Sequence, residues 1–476
     1  MGPLVHHPAS HPPSCPYPLM SDTPSAQAIP HPVVWVPSLY FAMGIPFSIV
    51  IWVAGTMFKD LGHSDGDITV ATASIGIMWS LKPLWAAFLD MYRTKRFWVL
   101  SMEFALTALL IIIALALPLP NYFQVMIALM WVLAFCSSTQ DITADGIYIT
   151  TLDKKKQATF IGVQGVFWNV GRLFAVAAVV WFAGTLQENH GADPKTAWAW
   201  AIGLSAATMV LLAIYHLFVL PQGAVGQRAG SAKDAFQTFG DSLLAFFSKK
   251  KIWGMLAFVF LFRSAEGLLL VEAPLFMQSP INEGGLGLTL KQKGVIDGMI
   301  SITVSLAGGL LGGVFIAKYG LKRSLFFMAL CINVPNLCFV YLSQMITPDL
   351  MEQSAQMAAV AATTGAAAES PVSLVTVGML VTLEKFGYSF GFVANMLYMM
   401  QQMSPGKYHM THYAFCTAIM NLVLVPLQMI SGPMADHFGY QTFFIIVCFA
   451  AIPSLIAAWF APFPRDATSA VVSEPT

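Results

Sequence analysis

The chain has 476 residues, of which 57% are hydrophobic and 10% charged, whereas an ordinary soluble domain carries about 25% charge. With 24 basic and 24 acidic residues there is no net charge and no basic stripe suited to nucleic acid. So little polar surface cannot cover a soluble core of this size. The chain must lie in lipid, where helices are the default because they satisfy their own backbone hydrogen bonds.

Residues 1–32 hold no Lys or Arg and no long apolar run, so they do not read as a secretory signal. They are predicted to form a disordered cytoplasmic tail, and the irregular spacing of His6, His7, His11 and His31 favours a solvated segment over a metal site. A membrane span needs about 20 apolar residues. Twelve stretches qualify, near 33–57, 68–89, 97–118, 123–149, 157–185 and 196–220, then 252–279, 293–317, 324–346, 372–400, 411–434 and 442–462. The predicted architecture is therefore an all-α membrane protein of twelve transmembrane helices. Two six-helix halves, 33–220 and 252–462, are joined by a polar cytoplasmic linker at 221–251 and followed by a tail at 463–476.

The basic residues set the orientation. With both termini in the cytoplasm, that side receives Arg93, Lys95, Arg96, Lys154 to Lys156, Arg228, Lys233, Lys249 to Lys251, Lys318, Lys322, Arg323, Lys407 and Arg465, and the outer side only Lys59, Lys195, Lys291 and Lys293. A faint repeat supports the halves. Tyr92-Arg-Thr-Lys95-Arg96 follows the second predicted helix and Tyr319-Gly-Leu-Lys322-Arg323 the eighth, 227 positions on. Parallel six-helix repeats of this sort mark the major facilitator fold. The six cysteines form no CxxC pair and read as small buried hydrophobes or tail residues.

Ionisable groups inside spans are costly, so each is a candidate for function. On the predicted fourth helix Asp141 and Asp145 share one face, with Gln140 beside them. The fifth carries Gln164, Trp168, Asn169 and Arg172. Counted from the loop between these helices, Asp141 lies about 20 Å deep, Arg172 about 24 Å and Asp145 about 14 Å. An Asp141–Arg172 pair is thus allowed, and Lys82, about 17 Å from its own helix end, could also reach Asp141. Such a cluster suits proton coupling, because a carboxylate beside a cation stays ionised and one without it takes up a proton. A structural ion pair is the alternative. Asp145 is shallower and fits structure better. In the second half, Arg263 and Glu266 are three apart and can pair with each other. Glu384 and Lys385 are adjacent, so each is expected to need its own partner. Glu103 is expected to meet a loop cation. Asp90, Arg93 and Arg96, at the cytoplasmic end of the second helix, suit a gating latch. Trp181, Trp198 and Trp200 suit an interfacial belt, and Gly308, Gly309, Gly312 and Gly313 suit close helix packing.

Three segments carry a resemblance: Tyr40-Phe-Ala-Met-Gly44-Ile-Pro46, Leu81-Lys82-Pro83-Leu84-Trp85-Ala86 with Asp90, and Ser138-Thr-Gln140-Asp141-Ile-x-x-Asp145. They are similar to motifs of the AmpG-like branch of the major facilitator superfamily, which includes muropeptide permeases and acetyl-coenzyme A transporters. The second half matches in layout only. The resemblance implies a secondary active transporter of a bacterial inner membrane that imports an anhydromuropeptide or related amino-sugar compound with protons, working as a monomer without a cofactor. Siderophore uptake is the alternative within the branch. A membrane enzyme would need a nucleophile or metal site, and a sensor would need an output domain; no HExxH, GxSxG in a plausible context, or nucleotide loop is present.

Overall fold

The apolar runs form helices, in a computed structural model that describes residues 30–82, 84–86, 89, 93–223, 232–364, 372–406 and 408–464. Helix α1 (Pro32–Asp60) passes through a π-turn at Ile49–Val53. Helix α2 (Asp65–Ala73) starts where Ser64 Oγ accepts the Asp67 N–H at 3.1 Å, an N-cap that satisfies one of the free donors of the first turn. A 3₁₀ turn (Ser74–Gly76) and a short helix (Ile77–Ser80) extend it. Then follow α3 (Lys95–Ala116), α4 (Tyr122–Thr151), α5 (Lys154–Leu173, carried through a π-turn at Phe174–Val179 to Val180–His190) and α6 (Pro194–Val219).

The second set opens with α7 (Ala232–Phe247), and α8 (Ile252–Gln278) is interrupted at Arg263, whose φ is −107° and ψ 15°. It continues with α9 (Leu290–Tyr319), α10 (Leu321–Gln344), α11 (Pro348–Thr364), α12 (Leu374–Tyr398) and α13 (His409–Trp459). Gly439, with φ 74°, breaks α13 in a conformation that a side chain would strain. The predicted spans near 411–434 and 442–462 lie on either side of that break. Among the described residues nine helices are long and apolar enough to cross a membrane. The predicted second span is described as α2 and the turns up to Lys82, and only in part beyond.

Two segments read as loops are helical. Within the predicted linker, α7 turns Phe239 and Phe246 onto Phe415, with ring centroids 5.4 and 5.9 Å away, so an apolar face spaced at helical period offsets its polar composition. The stretch between the predicted spans near 324–346 and 372–400 contains α11.

Small residues set the closest crossings. A Cβ on Gly44 of α1 would lie 2.3 Å from the Trp168 carbonyl oxygen of α5, and one on Gly171 would lie 2.3 Å from that of Phe41. Backbone therefore meets backbone, as small residues permit in lipid. Of the four glycines on α9, Gly308 and Gly312 press on Ser389 and Phe390 of α12, while Gly309 and Gly313 face open space. The interfacial-belt reading fails for Trp198. It is fully buried and its indole N–H donates to Asp60 Oδ2 at 2.8 Å, whereas Trp181 and Trp200 are exposed.

The two helical sets meet through polar contacts at one end of the molecule. Lys293 Nζ reaches Thr56 Oγ1 at 2.8 Å and Gln278 Oε1 at 3.0 Å, and Lys291 pairs with Glu188 at 3.0 Å. The Gly66 N–H donates to Asp436 Oδ2 at 2.7 Å, and Tyr440 donates its hydroxyl to Asp65. A Cβ on Gly432 would lie 2.1 Å from the Asp65 carbonyl oxygen, so α2 and α13 also touch backbone to backbone here.

Candidate functional site

Deeper between the two sets lies a cavity of 360 Å³. Its walls include Phe47 of α1, Trp79, Ser80 and Lys82 from the extension of α2, Asp141 of α4, Trp168 of α5, and Thr417 and Asn421 of α13. Three rings form one side, with Phe47 4.7 Å from Trp79 and 5.4 Å from Trp168. At the base, Lys82 Nζ lies 2.7 Å from Asp141 Oδ2, and the Trp79 indole N–H donates to the same oxygen at 3.1 Å. Asp141 Oδ1 is buried without a hydrogen-bond partner among the described residues.

Of the two partners the sequence allowed for Asp141, the structure places Lys82 on it and not Arg172. The Arg172 guanidinium instead lies 4.1 Å over the ring of Trp52, a cation–π contact, because the close α1–α5 crossing turns that face of α5 toward α1. Trp168, one turn earlier, lines the cavity; Asn169 does not bond across it but returns its amide to the Gly165 carbonyl at 2.9 Å. Gln164 Oε1 is buried and has no partner among the described residues. Asp145, expected to be structural, accepts the Tyr40 hydroxyl at 2.7 Å.

In the second set Arg263 and Glu266 pair as expected, with Nε 2.7 Å from Oε2 at the break in α8. The expectation of separate partners for Glu384 and Lys385 is corrected: their charged groups are 3.1 Å apart. A lysine stem is long enough to fold back to the side chain next to it, here from a partly exposed Lys385 to a buried Glu384. Arg93, of the proposed latch, is exposed with φ 63°, and Arg96 donates to the Leu217 carbonyl at the end of α6. Asp90 lies outside the described residues.

Sequence reasoning missed a second polar centre. Glu103 of α3 is fully buried and does not meet a loop cation. Its oxygens lie 2.7 and 3.0 Å from His216 Nδ1 of α6, and it accepts the Gln140 amide at 3.1 Å. His216 Nε2 meets Ser38 Oγ of α1 at 3.0 Å. Gln140, next to Asp141 on α4, thus ties this centre to the helix that carries that acid. Only the placement of Glu103 and His216 inside apolar runs hinted at it; they are 113 positions apart.

A model of the Major Facilitator Superfamily matches residues 38–403. An uncharacterized protein of Haemophilus influenzae is 23% identical over 459 residues, covering 94% of this chain and 98% of its own. The anhydromuropeptide permease of Escherichia coli K12 is 22% identical over 429 residues, covering 88% of this chain and 77% of its own. Among solved structures, the nucleoside transporter NupG superposes with a TM-score of 0.65 at 15% identity, covering 90% of this chain and 99% of the other.

Proposed function

The chain belongs to the major facilitator superfamily and is a multi-pass membrane transporter rather than an enzyme, and on that premise we propose that it imports an anhydromuropeptide or a related amino-sugar compound, driven by protons. The observation that carries this reading is Asp141. It sits on the wall of the cavity between the two helical sets, 2.7 Å from Lys82. A proton on the unpartnered Oδ1 removes the charge that holds Lys82, freeing the ammonium for a solute group. Loss of the proton restores the pair and displaces that group. The rings of Phe47, Trp79 and Trp168 offer the flat apolar surface on which the less polar face of a sugar stacks. Thr417 and Asn421 supply hydroxyl and amide groups for its polar edge.

In this reading twelve spans form two six-helix halves with both termini in the cytoplasm of a bacterial inner-membrane protein. The sealed end then faces outward and the cavity is served from the inside, one of the two states that alternating access requires. The substrate class is supported by the likeness to the Escherichia coli permease and by the aromatic walls.

Uptake of labelled anhydromuropeptide into vesicles carrying the protein, with and without an imposed inward proton gradient, tests the proposal. Accumulation that a protonophore abolishes is expected, and Asp141→Asn should lose accumulation while keeping counterflow exchange. Absence of uptake in vesicles containing folded protein removes the muropeptide and leaves siderophores or free amino sugars. Normal accumulation by Asp141→Asn removes the coupling role.

A further inference from the structure

Glu272 of α8 is fully buried, and neither of its carboxylate oxygens has a hydrogen-bond partner among the described residues. What it faces is another acid, Asp65 at the start of α2, where α8 packs on α2 and Tyr440 bridges Ser279 and Asp65. Asp65 is 2% exposed and already occupied: Lys59 Nζ lies 2.8 Å from Oδ1, and the Tyr440 hydroxyl donates to Oδ2. The charged groups around them have contacts of their own. Asp436 accepts the Gly66 N–H, Lys293 is held by Thr56 and Gln278, and Lys291 by Glu188. His63 stacks on Phe123, 4.1 Å away, with its Nε2 2.7 Å from the Tyr122 hydroxyl. Asp60 accepts from Gln187 and Trp198.

Two buried carboxylates that face each other cannot both hold their charge, and a single cation on one of them does not supply the missing donor. One proton does: a protonated Glu272 becomes a donor to Asp65, whose own charge is offset by Lys59. The acids come from different helical sets, Asp65 from the first and Glu272 from the second, where α1, α2, α8 and α13 meet. We propose that Glu272 and Asp65 form a proton-binding site, separate from Asp141, whose single shared proton holds the two helical sets together at the outer end.

Uptake of that proton from outside closes the outer end, and its loss leaves two acids that separate to be hydrated. Alkaline conditions therefore favour opening. This inference rests on the reading of the chain as a transporter sealed outward, but not on its substrate or on Asp141. Its test measures no transport, so the two can fail independently.

Spin labels at Leu119→Cys in the α3–α4 turn and Phe438→Cys beside the break in α13 report the gap across this end. The background is a chain whose six native cysteines are replaced by alanine, held in lipid nanodiscs. Pulsed electron resonance is expected to give a short distance near pH 5 and a longer one near pH 9, the open-to-closed ratio rising about tenfold or more. Glu272→Gln, whose amide donates permanently to Asp65, should stay short at both, and so should Asp65→Asn, which leaves a single acid. Identical wild-type distances at both pH values overturn the site, as does a pH response in Glu272→Gln equal to that of the wild type. Opening that follows sodium concentration at fixed pH also overturns it. If neither variant can be purified folded, the wild-type titration decides.

Discussion

The Glu103–His216 centre gives the sharpest stability test, because each partner can be removed alone and together. Glu103 accepts three contacts in a fully buried setting. Glu103→Gln keeps the volume and a carbonyl oxygen that can accept both donors, which meet at Oε1, but its NH2 takes the place of Oε2 and sets a buried donor with no acceptor beside His216 Nδ1. An orphaned buried donor costs about 1–3 kcal/mol. His216→Leu removes a hydrogen bond to an acid, worth about 1.5–3 kcal/mol, and leaves Ser38 Oγ with its bond to the Trp35 carbonyl alone. With both changes the lost contact is counted once, so the double variant should cost less than the sum by about 1–2 kcal/mol. Unfolding in detergent, followed by tryptophan fluorescence for the four members of the cycle, measures the difference. Additivity within about 0.5 kcal/mol would refute the coupling and would mean that the two side chains contribute only their volumes.

Two further outcomes follow from the packing and the cavity. Gly171→Val should destabilise the protein by about 1–3 kcal/mol through overpacking of the α1–α5 crossing; Gly165→Ala, where nothing lies within 4 Å, should leave it equal or better by up to about 1 kcal/mol, and the same melting experiment reads both. Trp168→Ala should weaken apparent substrate affinity by about 0.5–1.5 kcal/mol, roughly two- to twelvefold, with the maximal rate preserved; an unchanged KM in the vesicle assay removes stacking from that ring.

Much of this was legible in the chain because lipid makes polarity conspicuous. Asp141, Lys82 and Glu384 stand out as charges in apolar runs, and counting residues from helix ends placed Lys82 and Asp141 at similar depth. Depth, however, is only one coordinate. The azimuth of a helix about its axis decides which residue at that depth faces which neighbour, and it depends on packing between remote segments. Hence Arg172 was a plausible partner for Asp141 until the Gly44–Gly171 crossing fixed α5 against α1 and put its guanidinium over Trp52. The same limit hid Glu103 and His216, whose meeting is a matter of how α3 and α6 lie together. It hid Thr417 and Asn421 too, which belong to the far set of helices and enter the cavity only when the sets assemble. For Glu384 and Lys385, backbone direction was read correctly but the reach of a lysine stem was not.

The crossing of α1 and α5 has a mechanical consequence. Where main chain rests on main chain, no side chain lies between the rods to change rotamer and absorb a displacement. Such a joint can swivel but has little capacity to slip. Phe47 sits three residues along α1 from Gly44, and Trp168 three residues before Gly171 on α5, so the two rings ride on opposite arms of one pivot. A swivel about that point changes the opening between them and carries Trp52, further out on the same arm of α1, in the same sense as Phe47 and over a longer arc.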